Sequence, residues 1–138
     1  MTNNRIRNTM TTELEHSNTN IGLNLPSLMS EIDNMLKKQY PESTLILFGS
    51  YARGDAHEES DLDICILVPK LTDRRIDMNV EMRLIIKNAL RIVLGETHPL
   101  DTKLYTYDEF EDGIKYRSTL QHTIWEEGVL VDDKERAS

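Results

Sequence analysis

The sequence predicts an α/β (α+β) domain built on a small mixed β-sheet flanked by helices. Three observations carry this. Two apolar runs of strand length, "TLILF" (44–48) and "DLDICILV" (61–68), are bounded by Gly or Pro and rich in β-branched residues. Apolar residues recur at helical spacing over 25–36 and again within 73–94. A third extended stretch, "PLDTKLYTY" (99–107), follows the second helical segment, so strands and helices interleave through the chain.

Residues 1–23 are rich in Thr and Asn without sustained periodicity and read as a flexible tail with room for one helical turn. The ordered domain is expected over 24–132, with 133–138 a polar tail. Asn24 is placed to cap a helix whose apolar face is Leu25, Leu28, Met29, Ile32, Met35 and Leu36, and Pro41 ends it. "GSYARGD" supplies turn residues between the first two strands, with one helical turn after Ser50, and Pro69 stops the second strand. The long helix should run from about Asp73 to Leu94. Met78, Met82, Ile85, Ala89 and Val93 mark its inner face, and Gly95 is its stop. After the third strand, "TYDE" (106–109) is a capping box. "STLQ" (118–121) repeats that signature before a last helix that Gly128 ends, and "VLVDD" is a short extended finish. The predicted order is α-β-β-α-β-α-α.

Composition narrows the function. The chain has 138 residues, 38% hydrophobic and 29% charged, which fits one soluble globular domain. No apolar run approaches the roughly 18 residues needed to cross a membrane, and the start has no apolar signal core, so a cytoplasmic location is expected. The single cysteine, Cys65, excludes an intramolecular disulfide framework and fits a reducing compartment. The net charge of −8 argues against a nucleic-acid backbone as the main partner, since "DRR" (73–75) is the one dense basic cluster of the domain. An acidic excess suits a site that collects divalent cations.

The informative stretch is "FGSYARGDAHEESDLDICILV" (48–68). Residues two apart in a strand share a face, so Asp61 and Asp63 project together with Cα atoms about 6.5 Å apart. Unpaired, they would repel and resist desolvation; together they can converge on shared cations, and Mg²⁺ is the hard ion that takes carboxylate and phosphate oxygens at once. Leu62, Ile64, Ile66 and Val68 fall on the opposite, core face, which leaves the carboxylates on the less apolar one. A bare Asp-x-Asp at a strand start is more often solvated, and Gly-Ser is more often an ordinary turn. The combination separates this stretch from both: apolar strand, Gly49-Ser50, ten residues, then Asp-x-Asp entering a second apolar strand. Gly49 and Ser50 let a backbone approach a phosphate and offer N–H and hydroxyl donors, and Arg53 adds a cation.

"GSYARGDAHEESDLD" resembles the nucleotidyltransferase signature of the DNA polymerase beta superfamily, and it is most similar to the small stand-alone members, the minimal nucleotidyltransferases. "LDTKLYTYDEF" resembles the family's third motif strand and "IWEEGVLVDD" its usual ending. The resemblance implies a polymerase beta-like fold over roughly residues 25–132. It implies two Mg²⁺ ions held by Asp61, Asp63 and Asp101, a third carboxylate that could also accept the acceptor's proton. It implies ATP as substrate, with the phosphates on Gly49 and Ser50, Arg53 neutralising the leaving group, and Ser60 either orienting Asp61 or touching a phosphate. The sequence departs from the family after Asp101: polar Thr102 and Lys103 stand where apolar residues are usual, and Lys103 shares the face of Asp101.

The resemblance further implies a partner. Minimal nucleotidyltransferases are commonly encoded beside a HEPN-domain protein, and the chain has no room for the extra domains of template- or tRNA-directed relatives. The expected activity is AMP transfer from ATP to a tyrosine hydroxyl of a HEPN ribonuclease toxin, an antitoxin function. Two alternatives stay open: transfer to a small hydroxylated molecule or an RNA end, and a non-catalytic antitoxin that blocks its partner by binding. Elsewhere, Cys65 reads as packed rather than reactive, His57 as mainly solvent-exposed, and Trp125 as core, with an interface anchor the other reading.

Overall fold

Strands β1 (Thr44–Phe48) and β2 (Leu62–Val68) are apolar almost throughout because both faces of the sheet are covered. The computed structural model describes residues 6, 9–12 and 24–131. Helix α1 (Leu25–Gln39) precedes β1, and the short helix α2 (Gly49–Arg53) follows it directly. After β2 come helix α3 (Arg75–Leu94), strand β3 (Leu100–Thr106), helices α4 (Tyr107–Ile114) and α5 (Leu120–Glu127), and strand β4 (Val129–Leu130). The sheet order is β3-β2-β1-β4, with β1 antiparallel to β2 and β4, and β2 parallel to β3.

The local signals act as the sequence predicts at several ends. Asn24 Oδ1 accepts from Ser27 N–H at 3.2 Å to cap α1, and Gly95 closes α3 in the left-handed region at φ 80°. The Thr106–Glu109 capping box is complete: Thr106 Oγ1 accepts from Glu109 N–H at 3.1 Å, and Glu109 Oε1 accepts from Thr106 N–H at 2.9 Å. For α5 the cap lies one residue past the predicted "STLQ" start: Thr119 Oγ1 accepts from His122 N–H at 3.0 Å, so Thr119 rather than Ser118 is the N-cap.

One face of the sheet (Leu45, Leu47, Ile64, Ile66) packs on α1 and α3. The inner face of α3 is corrected toward Met78, Met82, Ile86, Ala89 and Leu90; Ile85 is only partly buried and Val93 is 43% exposed. Helical rotation brings position 86 over the sheet more fully than 85, and the last turn lacks cover. The other face carries a second core of Ile46, Phe48, Cys65 and Leu67 against Phe110, Ile114 and Ile124. The face that bears the aspartates is therefore apolar beyond its first rung, a correction to the single-core reading. Cys65 is fully buried there, as predicted, and burial pushes its thiol up.

Ile124 takes the core position expected of Trp125, which is half-buried at the edge of this core and donates from Nε1 to Thr9 Oγ1 at 2.9 Å. From the stretch read as a flexible tail, Ile6 and Met10 are buried in the second core and Leu130 N–H donates to Thr11 O at 2.8 Å. Residues 13–23 and 132–138 lie outside the described residues. The "VLVDD" finish becomes a true strand at Val129–Leu130, because β1 offers it a free edge. Among the described residues, no helix is long and apolar enough to cross a membrane.

Candidate active site

The topology explains why the motif residues meet. Antiparallel pairing sets Phe48 opposite Asp63, so the Gly49 turn at the end of β1 lies beside the first rung of β2. Parallel pairing of β2 and β3 sets Asp101 opposite Asp63, one strand spacing of about 4.8 Å away. Gly49-Ser50, Asp63 and Asp101 thus share one end of the sheet, although the sequence separates them widely. Asp61 precedes β2 by one residue and is exposed, a small correction to its placement inside the strand.

Asp63 is the electrostatic centre. Its carboxyl is pushed up to about 6, first by burial and then by the charges of Asp101 and Asp61; Arg53 opposes this and Glu127 adds to it. Among the described residues no three His, Cys, Asp or Glu side chains stand together as a group that could hold a metal ion; Asp61, Asp63 and Asp101 are the carboxylates that would have to supply one. An all-oxygen donor set of this kind fits Mg²⁺, whose remaining positions suit phosphate oxygens and water.

Gly49 is required by space as well as by conformation. Its φ is +75°, and a Cβ there would stand 2.1 Å from Asp63 Oδ2. Glycine at this position lets the Asp63 carboxylate lie directly over the turn.

The remaining expected residues are placed as follows. Ser60 Oγ accepts from His57 N–H at 2.9 Å, closing the loop that delivers Asp61. Arg53 pairs with Asp55 at 3.3 Å and with Glu127 at 3.2 Å. Lys103 Nζ lies 3.5 Å from Asp101 Oδ2 with both groups part-exposed. Thr102 points to the other face, where it is buried and its hydroxyl donates to Asn79 Oδ1 at 2.9 Å. The polar pair after Asp101 is thereby accounted for: one member meets α3 and the other sits against the carboxylate.

Two residues complete the site that sequence reasoning missed. His98 Nε2 lies 3.1 Å from both Tyr51 Oη and Ser60 O, tying α2 to the loop before Asp61. Glu127, the last residue of α5, accepts from Gly49 N–H at 2.9 Å. Neither had a local signal, since Glu127 meets Gly49 across 78 positions. A cavity of about 440 Å³ lies farther along β3, between Tyr105, Gly113, Tyr116 and Gln121.

The family described as "Nucleotidyltransferase domain" matches residues 29–126. The chain belongs to this nucleotidyltransferase family. The chain is also similar to proteins from Methanocaldococcus jannaschii. "Putative protein adenylyltransferase MJ0141" is 35% identical over 97 residues, covering 70% of this chain and 80% of that protein. Two others of the same descriptive name, MJ0604 and MJ1305, are 42% and 38% identical over 64 and 61 residues, 45% and 43% of this chain. The chain spans 64% and 42% of their respective lengths. A crystal structure described as a toxin-antitoxin with AMP-PNP superposes at a TM-score of 0.48 with 21% identity, covering 78% of this chain and 75% of that one.

Proposed function

We propose that the protein is a metal-dependent protein adenylyltransferase, moving AMP from ATP to a tyrosine hydroxyl of a HEPN ribonuclease toxin and so acting as its antitoxin. The observation that supports the transferase half is the strand register that sets Asp63 against Asp101 beside Gly49-Ser50, with the charge of Asp61 also acting on Asp63. The protein-substrate half draws on the named adenylyltransferase relatives. The toxin and the tyrosine follow from the family resemblance of "GSYARGDAHEESDLD".

In this reading Asp61, Asp63 and Asp101 would hold two Mg²⁺ ions, which when bound would neutralise phosphate charge and make the acceptor hydroxyl more acidic. Asp101, on the edge strand β3, accepts the hydroxyl proton. The tyrosine oxygen bonds to the α-phosphorus, the bond from that phosphorus to the bridging oxygen breaks, and pyrophosphate leaves. Gly49, Ser50 and Arg53 receive the outer phosphates, and Ser60 keeps the Asp61 loop in shape through His57.

The test is incubation with α-labelled ATP, Mg²⁺ and a HEPN-type toxin from the same genome. Label on a partner tyrosine that disappears with Asp61→Asn is the expected result. Label on RNA or a small molecule would replace the acceptor. Tight partner binding with no transfer from any nucleotide would establish the blocking reading, which the Lys103–Asp101 contact favours by placing a cation against a metal ligand.

A further inference from the structure

Glu127 occupies the donors that the function above gives to phosphate. Its Oε2 accepts from Gly49 N–H at 2.9 Å and from Arg53 Nη1 at 3.2 Å, and its Oε1 lies 3.3 Å from the same Arg53 nitrogen. The fold pins it there. Gly128 N–H closes α5 on Ile124 O at 2.7 Å, and Val129 pairs with Leu47, two residues before Gly49. A Cβ at Gly128 would meet Ile124 O at 2.4 Å and Ile46 Cγ2 at 2.8 Å, so the chain leaves the helix hard against β1. Only the side-chain torsions of Glu127 remain free to move its carboxylate.

Electrostatics give that carboxylate little other reason to stay. It stands at the negative end of α5, where a helix disfavours an anion. It also adds to the charge that resists ionisation of Asp63. What holds it are one backbone N–H and one part-exposed guanidinium, 46% exposed. A phosphate oxygen needs those same donors, and a carboxylate and a phosphate cannot share them without like charges in contact.

We propose that Glu127 is an internal competitor for the nucleotide's phosphates. It holds Gly49 and Arg53 in the nucleotide-free protein and rotates off them when a triphosphate binds. The proposal rests on the nucleotidyl-transfer reading of the site. It gives Glu127 a selecting role: a lone phosphate merely exchanges one anion for another, whereas a triphosphate with its cations gains further contacts at the aspartates and displaces the carboxylate.

The experiment is calorimetric binding of a non-hydrolysable ATP analogue with Mg²⁺ to the full chain, to Glu127→Gln and to Glu127→Ala, each checked for its fold by circular dichroism. Glutamine keeps the size and an acceptor for Gly49 but loses the charge that holds Arg53. The expected result is a Kd lowered about two- to fivefold in Glu127→Gln, the range a part-exposed ion pair commands, and at least as much in Glu127→Ala. If the alanine variant fails to fold, the glutamine variant decides alone. A Kd unchanged or raised in the folded variants, with the unaltered chain binding normally, overturns the competitor and makes Glu127 a support for Arg53. Absence of binding by all three proteins overturns the nucleotide reading itself, and the competitor with it.

Discussion

Replacing Asp63 by Asn should stabilise the metal-free protein while ending transfer. The carboxyl of Asp63 is pushed up from 3.8 to about 6 by burial and by Asp101 and Asp61. That difference corresponds to about 3 kcal/mol at roughly 1.4 kcal/mol per pH unit. Asp63 is only part-buried, and solvent screening reduces the cost to about 1–2 kcal/mol. The sign follows from proton linkage. Between 3.8 and about 6 the folded chain keeps a proton that the unfolded chain releases, so stability falls as pH rises through this window and stays lower above it. Asparagine has no such loss. Urea unfolding in EDTA at pH 7.5 should show Asp63→Asn more stable by about 1–2 kcal/mol, with the gap closing toward pH 4. Added Mg²⁺ should then stabilise the unaltered chain more than the variant. A variant less stable than the parent at pH 7.5 in EDTA, or a gap independent of pH, would refute the view that Asp63 is held at a cost for function.

Gly49→Ala should lose about 1–3 kcal/mol of stability and roughly a hundredfold in transfer rate, because a methyl group at φ +75° must displace the Asp63 carboxylate; denaturation and label-transfer assays read the two losses separately. Lys103→Met removes a cation from beside Asp101 and should lower the Mg²⁺ concentration for half-maximal activity by up to about fivefold, while an increase would assign Lys103 to substrate. Thr106→Ala breaks the capping box at the start of α4 and should cost about 1 kcal/mol in urea unfolding without changing the Mg²⁺ requirement.

Much of the fold is legible because its signals are local. The "TLILF" and "DLDICILV" runs, the Asn24 cap and the Thr106 box depend on residues within a few positions, and the structure keeps each of them, the second strand starting at Leu62 rather than Asp61. The errors share a cause. Nothing near Ile85 or Trp125 tells which side of a turn will meet the sheet; Ile86 and Ile124 take those places because of how α3 and α5 lie on it. The second core, which needs both faces of β1 and β2 covered, was likewise invisible until α4 and α5 were placed.

For the site, the sequence by itself determined the candidate residues: two carboxylates two positions apart, a Gly-Ser turn ten residues before them, and a family signature that pointed to Asp101. Only the tertiary structure decided what those groups face. Strand register set Asp101 against Asp63, Lys103 came to lie beside Asp101, and the end of α5 brought Glu127 onto Gly49. The physical reason is distance along the chain. Side-chain identity and two-residue spacing are carried locally, whereas charge repulsion, burial and competition for a single N–H arise only when segments dozens of residues apart are packed together.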